Sequence, residues 1–288
     1  MEAVQSTVSP KPLKPYSLDT EGRKYLSIKT LGSFNLYFNG HFLDSTEFLK
    51  RKRVQDLLIL LILNRKDGLQ KETIFNIFWK NYTDKSRKDN LNTLIYRLKK
   101  LLGNDKDLLI INRNTIRLDP FAIEVDADTF TKSAQQAELL EEAGELEQAL
   151  LKGIETIHLY RGEFFENICS EIPIESKRSE YRSVYLSTLF RMERLYLIKG
   201  FYKEALKTGK TLISHDPYCE PAHRLLMTTL GYLGNSSEIL RLYHSFEQKL
   251  FNAFGIAPDA KTETLKNRLL LGVFPSHNEI LDEVSVFF

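Results

Sequence analysis

The sequence predicts an α+β domain followed by an all-α helical array, and three observations carry that prediction. First, apolar and polar residues alternate from Tyr25 to Leu43 around an Asn39-Gly40 turn, the period and turn chemistry of a hairpin. Second, apolar residues then recur at helical spacing in three short stretches that end in another alternating pair. Third, beyond Asp126 the pattern is helical only, interrupted at Gly144, Gly153, Gly200, Asp216-Pro217 and Gly234. Charge divides at the same place. Residues 1–119 carry 22 basic and 13 acidic side chains and residues 120–288 carry 18 and 25, so a net charge of +2 conceals a basic first part and an acidic second. A polyanion suits the first part and not the second.

The elements follow in order. Residues 1–24 are polar, contain Pro10, Pro12 and Pro15 and show no period, which predicts a disordered leader. After the first strands, KRVQDLLILLIL has a charged start at Lys50 to Arg53 and a Lys66-Asp67-Gly68 stop, which favours a buried helix over a strand. QKETIFNIFWKN predicts a second helix with Ile74, Ile77 and Phe78 on one face. The third, KSRKDNLNTLIYRLKKLLG, ends at Gly103, and LLIINRNTIRLD reads as two strands around Asn112 to Asn114. Strand pair, three helices and closing hairpin form the order of a winged helix-turn-helix, expected over residues 25–120. The helical array is expected over 121–272 and a tail over 273–288. Within the array Gly200 stands 34 residues before Gly234, Ala205 before Ile239 and Leu206 before Leu240, the period of a TPR-like repeat. The matching glycines predict close helix packing at both turns.

Several classes of function are excluded by what the chain lacks. The longest apolar run, Leu57 to Leu63, is far too short to span a bilayer, and no apolar export signal opens the chain. Two cysteines, Cys169 and Cys219, are too few for a disulfide framework. The cytoplasm is the expected compartment, with no membrane partner. Gly209-Lys210-Thr211 is like the end of a P-loop, yet Glu204 replaces the glycine it requires. His215, Cys219 and His223 are spaced by four, but Pro217 and Pro221 break the helix on which they would share a face. Tyr196, Tyr202, Tyr232 and Tyr243 are expected to pack between helices. No catalytic constellation is found, so neither an enzyme nor a cofactor is expected.

The residues that point to function lie on the third helix. At about 100° per residue, Leu91, Leu94, Ile95, Leu98, Leu101 and Leu102 fall on one side. The opposite side presents Asp89, Thr93, Tyr96 and Lys100, flanked by Asn90 and Arg97 and by Asn92 and Lys99. A helix with such a face is narrow enough for a major groove, where Thr93, Tyr96 and Arg97 would read base edges. Phosphate contacts are expected from Lys100, from Lys50, Arg51, Lys52 and Arg53 at the first helix, from Arg87 and Lys88 before the third, and from Arg113 at the wing tip. Basic residues at the start of the first helix oppose its macrodipole, a cost that a phosphate would reverse.

KRVQDLLILLIL, DNLNTLIYRLKKLLG, EVDADTF, LYRGEFF and LFNAFGIAPD, in that order and spacing, make the chain resemble the SARP-type bacterial transcriptional activators. Those join an OmpR-like winged helix to a TPR-like bacterial transcriptional activator domain. The resemblance runs from about Tyr25 to Leu271. It implies that the third helix reads the major groove with support from the wing, here Thr93, Tyr96, Arg97, Lys100 and Arg113, and that RNA polymerase is a partner. Tyr96 stands where many relatives carry a smaller polar residue, and the wing is poorer in glycine. The expected function is that of a sequence-specific transcription regulator, an activator that binds double-stranded DNA at repeated promoter half-sites as a homodimer. The alternative is a TPR-like interaction scaffold whose winged helix no longer binds DNA.

Overall fold

A computed structural model of the chain describes residues 26–43, 50–102, 108–168 and 171–283. The expected leader, Gly103, Cys169 and the end of the expected tail lie outside these residues. The chain divides into two compact units. The first contains Phe34–Val125 with the strand that precedes it and Ile168–Ile172, and the second contains Thr30–Ser33, Asp126–Asn167 and the chain from Pro173 on.

In the first unit the strands are β1 (Leu26–Lys29), β2 (Asn35–Phe38) and β3 (His41–Leu43). Asn39 and Gly40 join β2 to β3 with φ of 49° and 80°, the left-handed pair that a two-residue hairpin needs. There follow α1 (Lys52–Leu63), β4 (Leu69–Gln70), α2 (Lys71–Phe78), α3 (Asp84–Leu101), β5 (Leu109–Ile111), β6 (Thr115–Leu118) and β7 (Ile123–Val125). One sheet has the order β3-β2-β1-β7, with β7 parallel to β1, and the other has the order β4-β6-β5. α1 is buried on every side from Val54 to Ile62, which explains why its sequence lacks a polar stripe.

α2 corrects one expectation. It buries Ile74, Phe75 and Phe78, whereas Ile77 is 45% exposed. Phe75 and Phe78 both turn to one side of Ile74 on the wheel and Ile77 turns to the other. α3 starts at Thr83, whose Oγ1 accepts from Ser86 N at 3.4 Å, and buries Leu91, Leu94, Ile95 and Leu98.

The second unit contains α4 (Asp126–Glu142), α5 (Leu146–Leu159), α6 (Glu175–Ile198), α7 (Tyr202–His215), α8 (Glu220–Tyr232), α9 (Ser236–Phe254), α10 (Ala260–Leu270) and α11 (His277–Leu281). Three helix pairs turn by the same device. Gly144, Gly200 and Gly234 take φ of 78°, 77° and 70°. The next amide then returns to a carbonyl five residues back: Glu145 to Leu140 at 2.8 Å, Phe201 to Tyr196 at 2.9 Å and Asn235 to Leu230 at 2.9 Å. Five residues after each glycine stands a fully buried Ala149, Ala205 or Ile239.

The repeat therefore has a copy at Gly144 that the echo between Gly200 and Gly234 does not reveal, because residues 160–174 intervene between α5 and α6. The expectation of close packing at Gly200 and Gly234 is also corrected. A Cβ at either would meet nothing within 4 Å, so the backbone conformation selects glycine there.

EVDADTF and LYRGEFF meet in this unit. The buried Asp126 carboxylate accepts from Thr30 N and Thr30 Oγ1 at 2.7 Å each, from Leu31 N at 3.3 Å and from Arg161 Nη2 at 2.9 Å. Phe164 and Phe165, which follow Arg161 closely in the chain, are fully buried, with Arg178 donating to both their carbonyls at 2.8 Å.

Asp216-Pro217 separates α7 from α8, so His215, Cys219 and His223 do not share a helix face. His223 stacks on Phe246 with ring centroids 4.0 Å apart, and burial pushes the Cys219 thiol up to about 12. Tyr202 stacks on Tyr232 at 5.0 Å, and Gly209-Lys210-Thr211 lies within α7. Within the expected tail, the described residues 273–283 contain α11 and bury Ile280. Among the described residues no helix is long and apolar enough to cross a membrane.

Candidate nucleic-acid interface

With its leucine stripe buried, α3 leaves Thr93, Tyr96, Arg97 and Lys100 exposed along one side. Tyr96 is 64% exposed, far more than a tyrosine held for packing. Thr93 Oγ1 donates to Asp89 O at 3.0 Å, which leaves its lone pairs directed outward as acceptors. Asp84 in the first turn and Lys99 and Lys100 in the last complement the helix dipole.

The turn between α2 and α3 is set by Arg87. Its Nε donates to Trp79 O at 3.1 Å and its Nη2 to Lys80 O at 2.6 Å, with Glu72 and Asp84 each 3.7 Å from Nη1. The side chain is 17% exposed. Arg87 was expected at a phosphate; in the structure its donors are directed at the carbonyls that end α2, and it fixes the angle at which α3 is presented. Lys88 beside it is exposed.

The wing is the β5–β6 hairpin. Asn112 N donates to Thr115 O at 2.9 Å and its side-chain amide to Thr115 Oγ1 at 3.3 Å, which leaves Arg113 and Asn114 at the tip. Neither has a positive φ, so this glycine-free turn lacks the backbone twist that suits a two-residue hairpin. It is braced from α2 instead: Lys71 N donates to Asn114 O at 2.8 Å, and Lys71 Nζ to Asn112 O at 2.7 Å and Arg113 O at 3.1 Å. Sequence reasoning missed Lys71. The signal was present, since a lysine that opens a helix against its dipole is the feature noticed at Lys50 to Arg53.

Between α3, the start of α2 and the wing tip lies a cleft of about 600 Å³, whose polar wall is formed by Lys71, Glu72, Lys88, Asn92, Arg113 and Asn114. The structure thus brings Lys88 and Arg113 to one cleft adjoining the α3 face. Among the described residues, Lys88, Arg97, Lys100 and Arg113 have no carboxylate partner.

The basic start of α1 is arranged differently. Lys50, Arg51, Lys52 and Arg53 are exposed, with no acidic residue in the first turn. Lys52 Nζ is 2.8 Å from Glu171 Oε1, and that hydrogen bond holds the Glu171 carboxyl below its usual range. Arg53 lies over the Phe78 ring at 5.1 Å, a cation–π contact. These two cations therefore have intramolecular partners that a phosphate would have to displace or share.

Residues 125–270 match the family model of the bacterial transcriptional activator domain. No curated protein sequence matches the chain. Among solved structures, Mycobacterium tuberculosis EmbR, in complex with a low affinity phosphopeptide, superposes with a TM-score of 0.74 at 17% identity over 91% of this chain and 69% of that one. At that identity the likeness is one of fold, a winged-helix domain followed by a helical array.

Proposed function

The chain belongs to the bacterial transcriptional activator domain family, and from that premise we propose that it is a sequence-specific DNA-binding regulator that activates transcription in the cytoplasm. Its family is one of transcription regulators rather than enzymes. A dimer reads repeated promoter half-sites and contacts RNA polymerase. In each copy α3 enters the major groove and the wing follows the adjoining backbone. Thr93, Tyr96 and Arg97 read base edges, while Lys100, Lys88 and Arg113 meet phosphates, with a weaker contribution from Lys50, Arg51, Lys52 and Arg53.

One observation carries this reading: the exposed polar face of α3 adjoins a cleft whose cations have no acidic partner among the described residues. Unpaired positive charge gathered around one helix opposes folding by self-repulsion and suits a polyanion. The test is anisotropy of labelled duplexes with the full chain, on random DNA and on DNA selected by the protein, across a range of salt. Affinity should fall steeply with salt on both, with the selected duplex preferred. Duplexes carrying two sites should bind more tightly than duplexes carrying one. Absence of binding at low salt would overturn the proposal in favour of an interaction scaffold.

A further inference from the structure

α11 lies beyond the matched family residues, which end at 270, yet it is bound to the array by charge-assisted contacts. The buried Glu283 accepts from Arg224 Nη2 at 2.8 Å and from Arg224 Nε at 3.1 Å, and Lys261 Nζ is 2.9 Å from its Oε1. Thr262 Oγ1, 3.0 Å from Arg224 Nη1, holds that guanidinium in place. Glu279 accepts from Arg268 Nη1 at 2.7 Å. Arg194 donates to Leu281 O and Glu283 O, and Tyr232 to Pro275 O. Between the two glutamates Ile280 is 2% exposed.

The segment supplies its own start. Ser276 Oγ accepts from Glu279 N, and the Glu279 carboxylate accepts from Ser276 N at 2.8 Å. A helix this short has no stability alone, so the surface it lies on decides its form. That surface is not filled. A cavity of about 430 Å³ remains, lined by Leu225, Thr228, Lys261, Thr264, Leu265 and Ile280 among others.

We infer that the groove between α8 and α10 is a docking site for an acidic amphipathic helix of a partner protein, and that residues 273–283 occupy it in cis as a built-in competitor. Three features support that occupant. The groove is cationic where the segment is acidic, with Arg224 and Lys261 at Glu283 and Arg268 at Glu279. Glu279 lies on α11 and Glu283 two residues past its end, with the buried Ile280 between them, so one short segment carries both carboxylates beside an apolar anchor. The unfilled volume leaves room for a longer apolar face than Ile280 provides. Arg268 also holds the Glu279 carboxyl at about 2, so this latch stays charged at neutral pH.

The test uses the full chain and a fluorescent synthetic peptide with the sequence of residues 273–283. Glu279→Gln weakens the exposed latch and leaves the buried Arg224–Glu283 pair intact. Because apparent affinity scales with the fraction of open groove and an exposed pair is worth at most about 1 kcal/mol, this variant should bind the peptide about two- to fivefold more tightly than the unmodified chain. Arg268→Glu opens the same latch but removes its cation, and should bind the peptide less well than Glu279→Gln. Equal binding by the unmodified chain and Glu279→Gln, or no saturable binding by either, would overturn the inference. So would a dimer that forms only when residues 273–283 are present, which would mean exchange between copies. A check independent of any variant is amide exchange: residues 277–283 should exchange well before α8 and α10, and exchange of all three in one event would count against it.

Discussion

In the helical array arginine is taken up by carboxylates: Arg191 and Arg194 share Glu141, Arg224 is forked with Glu283 and Arg161 meets Asp126. On α3 and the wing, Arg97 and Arg113 face solvent with no carboxylate partner among the described residues. The array thus uses charge to lock helices and loops together. Around α3 and the wing charge is kept in reserve, while Arg87 and Lys71 brace the helix-turn-helix and the wing and Lys52 and Arg53 meet Glu171 and the Phe78 ring. Charge that holds a fold and charge that meets a ligand are told apart by their partners, since both kinds look alike along the chain. Substitutions in the array should therefore change melting, and substitutions on α3 and the cleft should change DNA binding.

The largest effect is expected at Asp126. Asp126→Ala leaves the Thr30 and Leu31 amides and the Arg161 guanidinium without their acceptor, and should lower stability by about 3–5 kcal/mol in urea unfolding. A change under 1 kcal/mol, roughly the value of a surface pair, would break the comparison on the array side. Arg97→Ala should leave melting unchanged and cost about 1–3 kcal/mol on the preferred duplex, with a smaller loss on random DNA. Equal loss on both would make Arg97 a phosphate contact.

Glu193 sharpens the comparison because it is an acid in the array with no cation. Both carboxylate oxygens are buried without a hydrogen-bond partner among the described residues, against Gly209. Burial pushes its carboxyl well above 4.5, whereas in the unfolded chain it ionises near that value. The unfolded state therefore gains as pH rises through 4.5, and Glu193 costs stability from there upward. Glu193→Met should raise stability at neutral pH by about 1–3 kcal/mol, and the gain should shrink as pH falls below the ordinary carboxylate range. A gain independent of pH would show that packing, not ionisation, is responsible.

Gly200→Ala and Gly200→Leu should each cost about 1–2 kcal/mol in melting, the penalty of a left-handed backbone. A much larger loss for leucine would restore the close-packing reading. The smallest effect is expected at Lys88. Lys88→Ala should leave melting alone and lower the slope of log affinity against log salt by about one, on any duplex. Arg87→Ala should instead lower the melting temperature.

The sequence by itself determined where most of the helices and the two hairpins lie, though not β4, β7 or α11, which face of α3 is buried and that the Asn39-Gly40 turn closes a hairpin. Each of these is a local property, carried by a period of two or 3.6 residues or by one left-handed turn. It also placed Thr93, Tyr96, Arg97 and Lys100 together on one face, because helical spacing alone does that. What only the tertiary structure decided involves partners far apart in the chain. Val125 pairs with Ile28 across the whole first unit, Lys52 finds Glu171, Lys71 finds the wing, and Glu283 finds Arg224. Periodicity reports that a segment has something to bury. It does not report which distant carboxylate a basic side chain will meet, because that choice is made by packing, after the elements exist.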